Sequence, residues 1–181
     1  MTLNGWNTMT RYGLDAIIPE GKAGLFEVKH QPAEDGSDYT ETCLLYRDQM
    51  IMSDRPVEVE THEQLFSTKM SGTVLVCGLG LGFVHKHLMD NEMIDRVVVV
   101  ELFPEVEELV WPYCNKDNRF ELVIANAEDW EPTDHFDYGW FDSWIPHNSK
   151  DHSDWVAYMA KRYADDCEWM MFWHDKEKDN G

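Results

Sequence analysis

Three glycines at alternate positions, Gly78, Gly80 and Gly82, follow the apolar run Val74-Leu75-Val76-Cys77. A single acid, Glu101, closes the valine run that starts at Val97. These residue types at this spacing suit a nucleotide-like ligand. Glycine lets the backbone turn sharply after a strand and brings bare N–H groups against a ligand. A carboxylate about 20 residues further on, at the end of the next strand, is the usual partner of ribose hydroxyls. Its two acceptor oxygens match two hydroxyl donors.

A second group of chemically capable residues lies near the end of the chain: Trp140, Asp142, Trp144, His147, Asp151, His152 and Trp155. Aromatic faces and carboxylates both attract cations, so Trp140, Trp144 and Asp151 are read as walls of a pocket for a small cationic molecule. Asp142 would orient or deprotonate an attacking amine, and His147 is placed to act as a general base near neutral pH. The spacing of Asp142 with His147 or Asp151 is not diagnostic of a divalent ion, and no metal site is expected. His85 and His87 sit on the helix after the glycines and read as surface residues, with the approach of one of them to the ligand as the alternative.

The elements that must position these residues follow from periodicity and punctuation. Residues 24–30 alternate as a strand. Residues 31–37 carry Pro32, Asp35 and Gly36 as a turn, and residues 39–47 and 49–53 make two further strands of a small antiparallel sheet. A helix is predicted over 56–68, with Val57, Val59, Leu65 and Phe66 as its apolar positions. From residue 73 onward, strands at 73–77, 96–101, 120–124, 137–141 and 168–173 alternate with helices at 83–91, from Pro104, and at 153–166. That alternation means a parallel sheet wound on both faces. Ligands in such sheets bind beyond the carboxyl ends of the strands. The candidates are therefore Gly78–Gly82 after the first strand, Glu101, Leu102 and Phe103 after the second, Asn126 and Ala127 after the third, and Asp142 onward after the fourth.

Composition narrows the classes of function. The chain of 181 residues is long enough for one domain with a sizeable core. A net charge of −20 argues against nucleic acid as partner, since phosphate neutralisation supplies most of that affinity. It argues equally against an anionic membrane surface. No apolar run approaches a membrane span, and the N-terminus lacks a basic region followed by an apolar one, so a cytoplasmic place is expected, in a cell or an infected host. The four cysteines, Cys43, Cys77, Cys114 and Cys167, are scattered and read as buried thiols. The aromatic segments 6–18 and 169–173 suggest self-association into a homo-oligomer.

Residues 74–82, Val97–Glu101 with Pro104, Asn126-Ala127 and the run Phe136-Asp137-Tyr138-Gly139-Trp140-Phe141-Asp142-Ser143 resemble the successive motifs of class I S-adenosylmethionine-dependent methyltransferases. Within that superfamily the chain is similar to the spermidine synthase branch, and to small spermidine-synthase-like proteins of phages and bacteria. The segment Met52-Ser53-Asp54-Arg55-Pro56, with Glu58 and His62-Glu63, resembles the junction between that branch's N-terminal sheet and its nucleotide domain. The resemblance covers about residues 24–173.

It implies a Rossmann-like, doubly wound, mainly parallel sheet of the class I methyltransferase fold, truncated after the fifth core strand. A small β-sheet extension over 1–56 would precede a cofactor domain over 57–181. It also implies S-adenosylmethionine, or its decarboxylated form, as cofactor. Gly78, Gly80 and Gly82 would line its methionine and ribose side, and Glu101 would hold the ribose. Leu102 or Phe103 would flank the adenine, and Asn126 would accept from the adenine amino group. Asp142 matches the family's acid after the fourth strand.

The chain also departs from the branch. Ile145 stands where a second aspartate would be, Met52 replaces a glutamine, and Leu81 replaces the aspartate of the glycine run, which removes support for the decarboxylated cofactor. The expected activity is methyl or aminopropyl transfer to a small cationic acceptor. The alternative is a cofactor-binding or cofactor-depleting protein that carries out no transfer.

Overall fold

The computed structural model describes residues 18–33, 40–65, 70–143 and 151–173. The sheet expected at the N-terminal side is present and has four antiparallel strands: β1 (Gly21–Ala23), β2 (Phe26–Pro32), β3 (Thr40–Tyr46) and β4 (Gln49–Ser53). The sequence suggested three. The strand expected over 24–30 is instead the second arm of a hairpin, because Gly24 adopts φ +55° and reverses the chain between β1 and β2.

Helix α1 (Pro56–Leu65) starts on a proline, which is tolerated in the first turn because its missing N–H has no intrahelical partner there. Its buried face differs from expectation. Val57 is 66% exposed, whereas Val59 and His62, three residues apart and so on one side of the helix, are buried. The polar imidazole was not counted as part of the apolar stripe.

The second sheet contains β5 (Gly72–Cys77), β6 (Ile94–Glu101), β7 (Phe120–Ile124), β8 (Phe136–Phe141) and β9 (Cys167–Phe172), all parallel, in the order β7-β6-β5-β8-β9. Helices α2 (Phe83–Met89), α3 (Pro104–Val110) and α4 (His152–Arg162) connect them. Each strand lies within two residues of its expected bounds. Short, continuous β-branched runs are what a strand buried on both faces requires.

Alternation divides the valines between two layers. Val74, Val76, Val97 and Val99 meet α2, α3 and the small sheet. Leu75, Cys77, Val98 and Val100 meet Trp155, Met159 and Tyr163 of α4. Val97 through Val100 are each at most 2% exposed, and each such burial contributes about 1.5–3 kcal/mol. The small sheet is not a free appendage. Phe26, Val28 and Leu44 share one buried cluster with Val106, Leu109 and Val110 of α3.

The topology places the site. The chain runs outward from β5 to β6 to β7, then returns to the other side of β5 as β8. The carboxyl ends of β5, β6 and β8 therefore converge at a switch point, where a crevice forms. At the outer edge, Trp169 on β9 is 67% exposed. No helix among the described residues is long and apolar enough to cross a membrane.

Candidate functional site

The glycine loop turns immediately after β5. Gly78 has φ +100° and Gly80 has φ +52°, both in the region that side chains rarely adopt. Close approach adds a second reason. A Cβ on Gly78 would collide with the Asp142 carbonyl oxygen, and one on Gly80 would lie 2.5 Å from the Met52 sulfur. Two hydrogen bonds fix the loop's base: Gly78 N–H donates to the Val100 carbonyl at 2.8 Å, and Asp142 N–H donates to the Cys77 carbonyl at 2.9 Å. The ends of β5, β6 and β8 are thereby tied together within one turn.

Glu101, at the last position of β6, reaches back to this loop. Its Oε2 accepts the Leu79 N–H at 2.9 Å and its Oε1 accepts the Phe103 N–H at 2.9 Å. The residue is only 6% exposed. Burial pushes its carboxyl above the usual carboxylate range, against backbone N–H groups that favour the charged form. Each oxygen retains acceptor capacity beyond the backbone bond it holds.

The third wall comes from the junction between β4 and α1. Glu58 lies in the first turn of α1, and its carboxylate accepts the Ser53 N–H at 3.3 Å and the Ser53 hydroxyl at 3.2 Å. Burial raises its pKa as well. Met52 lays its sulfur on the glycine loop, where it accepts the Leu81 N–H at 3.2 Å. One turn further along α1, His62 is fully buried. Its Nδ1 bonds the Glu58 carbonyl at 2.8 Å, and its Nε2 faces Asp142 Oδ2 at 3.8 Å.

Together these groups enclose a cavity of about 410 Å3, within the range of about 300–1,000 Å3 usual for small-molecule sites. Gly78, Gly80, Glu101, Leu102, Asn126, Ala127 and Asp142 all line it. Phe26, Tyr46 and Phe103 line it too, as a tilted aromatic group with ring centroids 4.7–6.1 Å apart.

Other expected residues lie elsewhere. Gly82 starts α2 with φ +74° and packs beneath Cys114, away from the cavity wall. Trp140 is a correction. Strand alternation turns it into the core, 1% exposed, beside His62 and Trp173, and it is not a pocket wall. Asp151 also does not line the cavity. It caps α4, its carboxylate accepting the Ser153 N–H at 2.9 Å and hydroxyl at 2.8 Å, and these bonds hold its pKa below the usual range. His85 is packed against Trp111 and Phe120, and burial lowers its pKa to about 3, so it is a neutral core residue and not a ligand group. Asn126 lines the cavity, but its amide already serves a turn, accepting the Glu128 N–H and donating to Asp129. Trp144 and His147 lie outside the described residues.

Sequence reasoning assigned no role to Glu58 or His62, and cast Met52 only as the residue replacing a glutamine. The signal was the junction motif that contains all three. Only folding shows that the junction closes over the glycine loop.

The charge of the cavity is one-sided. Glu58, Glu101, Glu128 and Asp142 line it, and among the described residues no lysine or arginine does. A cationic, ribose-bearing ligand fits such a lining. S-adenosylmethionine carries a sulfonium and two ribose hydroxyls, for which Asp142 or Glu58 and Glu101 are the matching groups. Its amino-acid carboxylate meets no lysine or arginine among the described lining residues. Among the described residues there is also no group of three or more histidine, cysteine or acidic side chains that would hold a metal ion.

The five-stranded parallel sheet, with its helices and separate small antiparallel sheet, is a Rossmann-like α/β fold of the class I methyltransferase type. Among solved structures, the chain is similar to a spermidine synthase in complex with the transition state analogue AdoDATO. The two share 15% identity and a TM-score of 0.55, over 85% of this chain and 55% of that one. It is also similar to the N-methyltransferase NodS from Bradyrhizobium japonicum WM9, at 16% identity and a TM-score of 0.53, over 66% of this chain and 68% of that one. The spermidine synthase of Thermotoga maritima aligns at 15% identity and a TM-score of 0.46, over 70% of this chain and 47% of that one. The chain thus spans about half the length of these two spermidine synthases. At these identities the likeness is one of fold. No protein-family model and no curated protein sequence matches the chain.

Proposed function

We propose that this chain is a transferase of the S-adenosylmethionine type, moving a methyl or aminopropyl group to a small cationic amine. One observation carries the reading. A buried carboxylate, Glu101, spans the glycine loop and the start of α3 while facing a cavity whose other charged lining groups, among the described residues, are all acids. A dinucleotide would bring two phosphates to a lining that, among the described residues, offers them no lysine or arginine. A sulfonium compound brings the opposite charge.

In this reading the bare backbone of Gly78 and Gly80 admits the cofactor closely, Glu101 holds the ribose, and Leu102 and Phe103 flank the base. Asn126 and Ala127 close the adenine end. The cofactor supplies an electrophilic carbon beside a positive sulfur. Asp142 binds the acceptor's ammonium and takes its proton, freeing the nitrogen lone pair to attack. Such transfers depend on orientation and exclusion of water more than on elaborate acid–base chemistry. The acidic lining favours the decarboxylated cofactor, which lacks the amino-acid carboxylate, a group that meets no lysine or arginine among the described lining residues. This offsets the missing aspartate at Leu81.

Calorimetric titration with S-adenosylmethionine, its decarboxylated form and NAD tests the reading. Binding of either sulfonium compound, lost in Glu101→Ala, supports it. Binding of NAD alone overturns it. Cofactor binding without turnover on any diamine or monoamine, and without any effect of Asp142→Ala beyond affinity, would leave a cofactor-binding protein that carries out no transfer.

A further inference from the structure

We propose that His62 and Asp142 form one proton-accepting pair, in which Asp142 takes a proton from a ligand in the cavity and His62 stores it out of reach of solvent. Its use in catalysis rests on the transferase reading; its geometry does not.

The hydrogen-bond roles follow from the partners. The Glu58 carbonyl oxygen can only accept, so His62 Nδ1, 2.8 Å away, must donate. A neutral imidazole with its proton on Nδ1 presents a bare lone pair at Nε2. That lone pair faces Asp142 Oδ2 at 3.8 Å, buried and with no hydrogen bond among the described residues. Two acceptors now face each other. The arrangement that satisfies both holds one proton between them. A gap of 3.8 Å is longer than a hydrogen bond, and such gaps commonly close when a ligand binds.

The surroundings suit a stored positive charge. The His62 ring stacks on Trp173 at 4.4 Å and 25°, with Trp140 at 5.6 Å and the Phe83 edge at 5.4 Å. Aromatic faces stabilise a cation they enclose. Among the described residues, the charged groups beside the ring are Asp142, beyond β8, and Glu58, on its own helix. The Glu58 carboxylate turns to Ser53, and Arg55 lies near it in turn. From helix α2 the ring meets Phe83, and just after β9 it meets Trp173.

The proton balance is simple. An acceptor ammonium loses an N–H bond, Asp142 gains O–H, and the proton then passes to Nε2. The result is an imidazolium beside a carboxylate, so the proton neutralises the pair's single negative charge, and no water is required. His62 is thus a positioning and proton-storing residue. It does not line the cavity.

The test uses the full chain labelled with 15N. Long-range proton–nitrogen spectra should show the neutral His62 ring protonated at Nδ1, with an Nε2 resonance that moves in Asp142→Asn. An Nε2-protonated tautomer, or a ring indifferent to Asp142→Asn, overturns the pair. A second measurement repeats the spectra with a diamine added: Nε2 should take up a proton, and an Nε2 that stays bare with the diamine bound overturns the storage step. In Asp142→Asn that uptake should be lost, whereas a purely structural histidine would show none in either protein. If no cofactor binds while the spectra show the coupled ring, the transferase reading fails and the pair stands. If cofactor binds and the ring is uncoupled, the pair fails alone.

Discussion

At the scale of single residues, Glu101 carries the most chemistry. A hydrogen bond to a charged group is worth about 1.5–3 kcal/mol, so Glu101→Gln should weaken cofactor binding roughly tenfold to hundredfold. Calorimetry measures this, with circular dichroism showing that the fold is retained. Burial also makes Glu58 and Glu101 sensitive to pH. Both carboxyls are raised above their ordinary value of 4.5 in the folded chain. Their contribution to stability is therefore full below about pH 4.5 and lost as the pH rises through the folded values. Melting temperatures of wild type and Glu58→Gln, followed from neutral pH down to the ordinary carboxylate range, should converge at neutral pH or cross. Wild type gains from these groups on acidification, and the variant gains less. A parallel pair of curves would contradict the assignment.

At the scale of elements, the turn after β5 and the cap of α4 separate binding from support. Gly78→Ala forces a side chain into a φ of +100° and into the Asp142 backbone, a strain of the order of 1–3 kcal/mol. Because that strain falls on the cavity wall, the variant should lose both melting temperature and ligand binding. Asp151→Ala should behave differently. Loss of its cap on α4 costs about 1 kcal/mol of stability, yet cofactor affinity should stay within twofold of wild type, because Asp151 does not line the cavity. A large loss of affinity in Asp151→Ala would return it to the pocket. α1 supplies a third lesson. Of its residues with described side chains, the buried ones are Val59 and His62, so a purely apolar periodicity pointed to Val57, which is exposed.

At the scale of the whole molecule, the formal charge of −20 and the acidic cavity act together. A cationic ligand is drawn by the field of the entire chain, and that field is screened beyond about 8 Å at physiological ionic strength. The affinity for S-adenosylmethionine should therefore fall as salt rises from 20 to ~500 mM, while that for neutral adenosine should change little. Stability should move the opposite way, since salt relieves self-repulsion. Calorimetry and thermal melts on the same samples check both trends.

The sequence by itself determined the parallel sheet, because uninterrupted valine runs can be buried only between two layers, and glycines followed by a strand-end acid fit a single kind of turn. It therefore also located Gly78, Gly80, Glu101 and Asp142 on one crevice. Contacts between distant segments were decided only by tertiary structure. Strand alternation alone does not say which layer a side chain enters, so Trp140 read as a pocket wall and proved to be core. Asp151 read as a ligand group because a cap and a binding carboxylate look the same in one dimension. The closure of the β4–α1 junction over the glycine loop, with Met52 on Leu81, Glu58 in the wall and His62 behind Asp142, joins residues up to 80 positions apart. No local pattern encodes such a meeting, because it arises from the docking of the small sheet on α3 and from the return of the chain across β5.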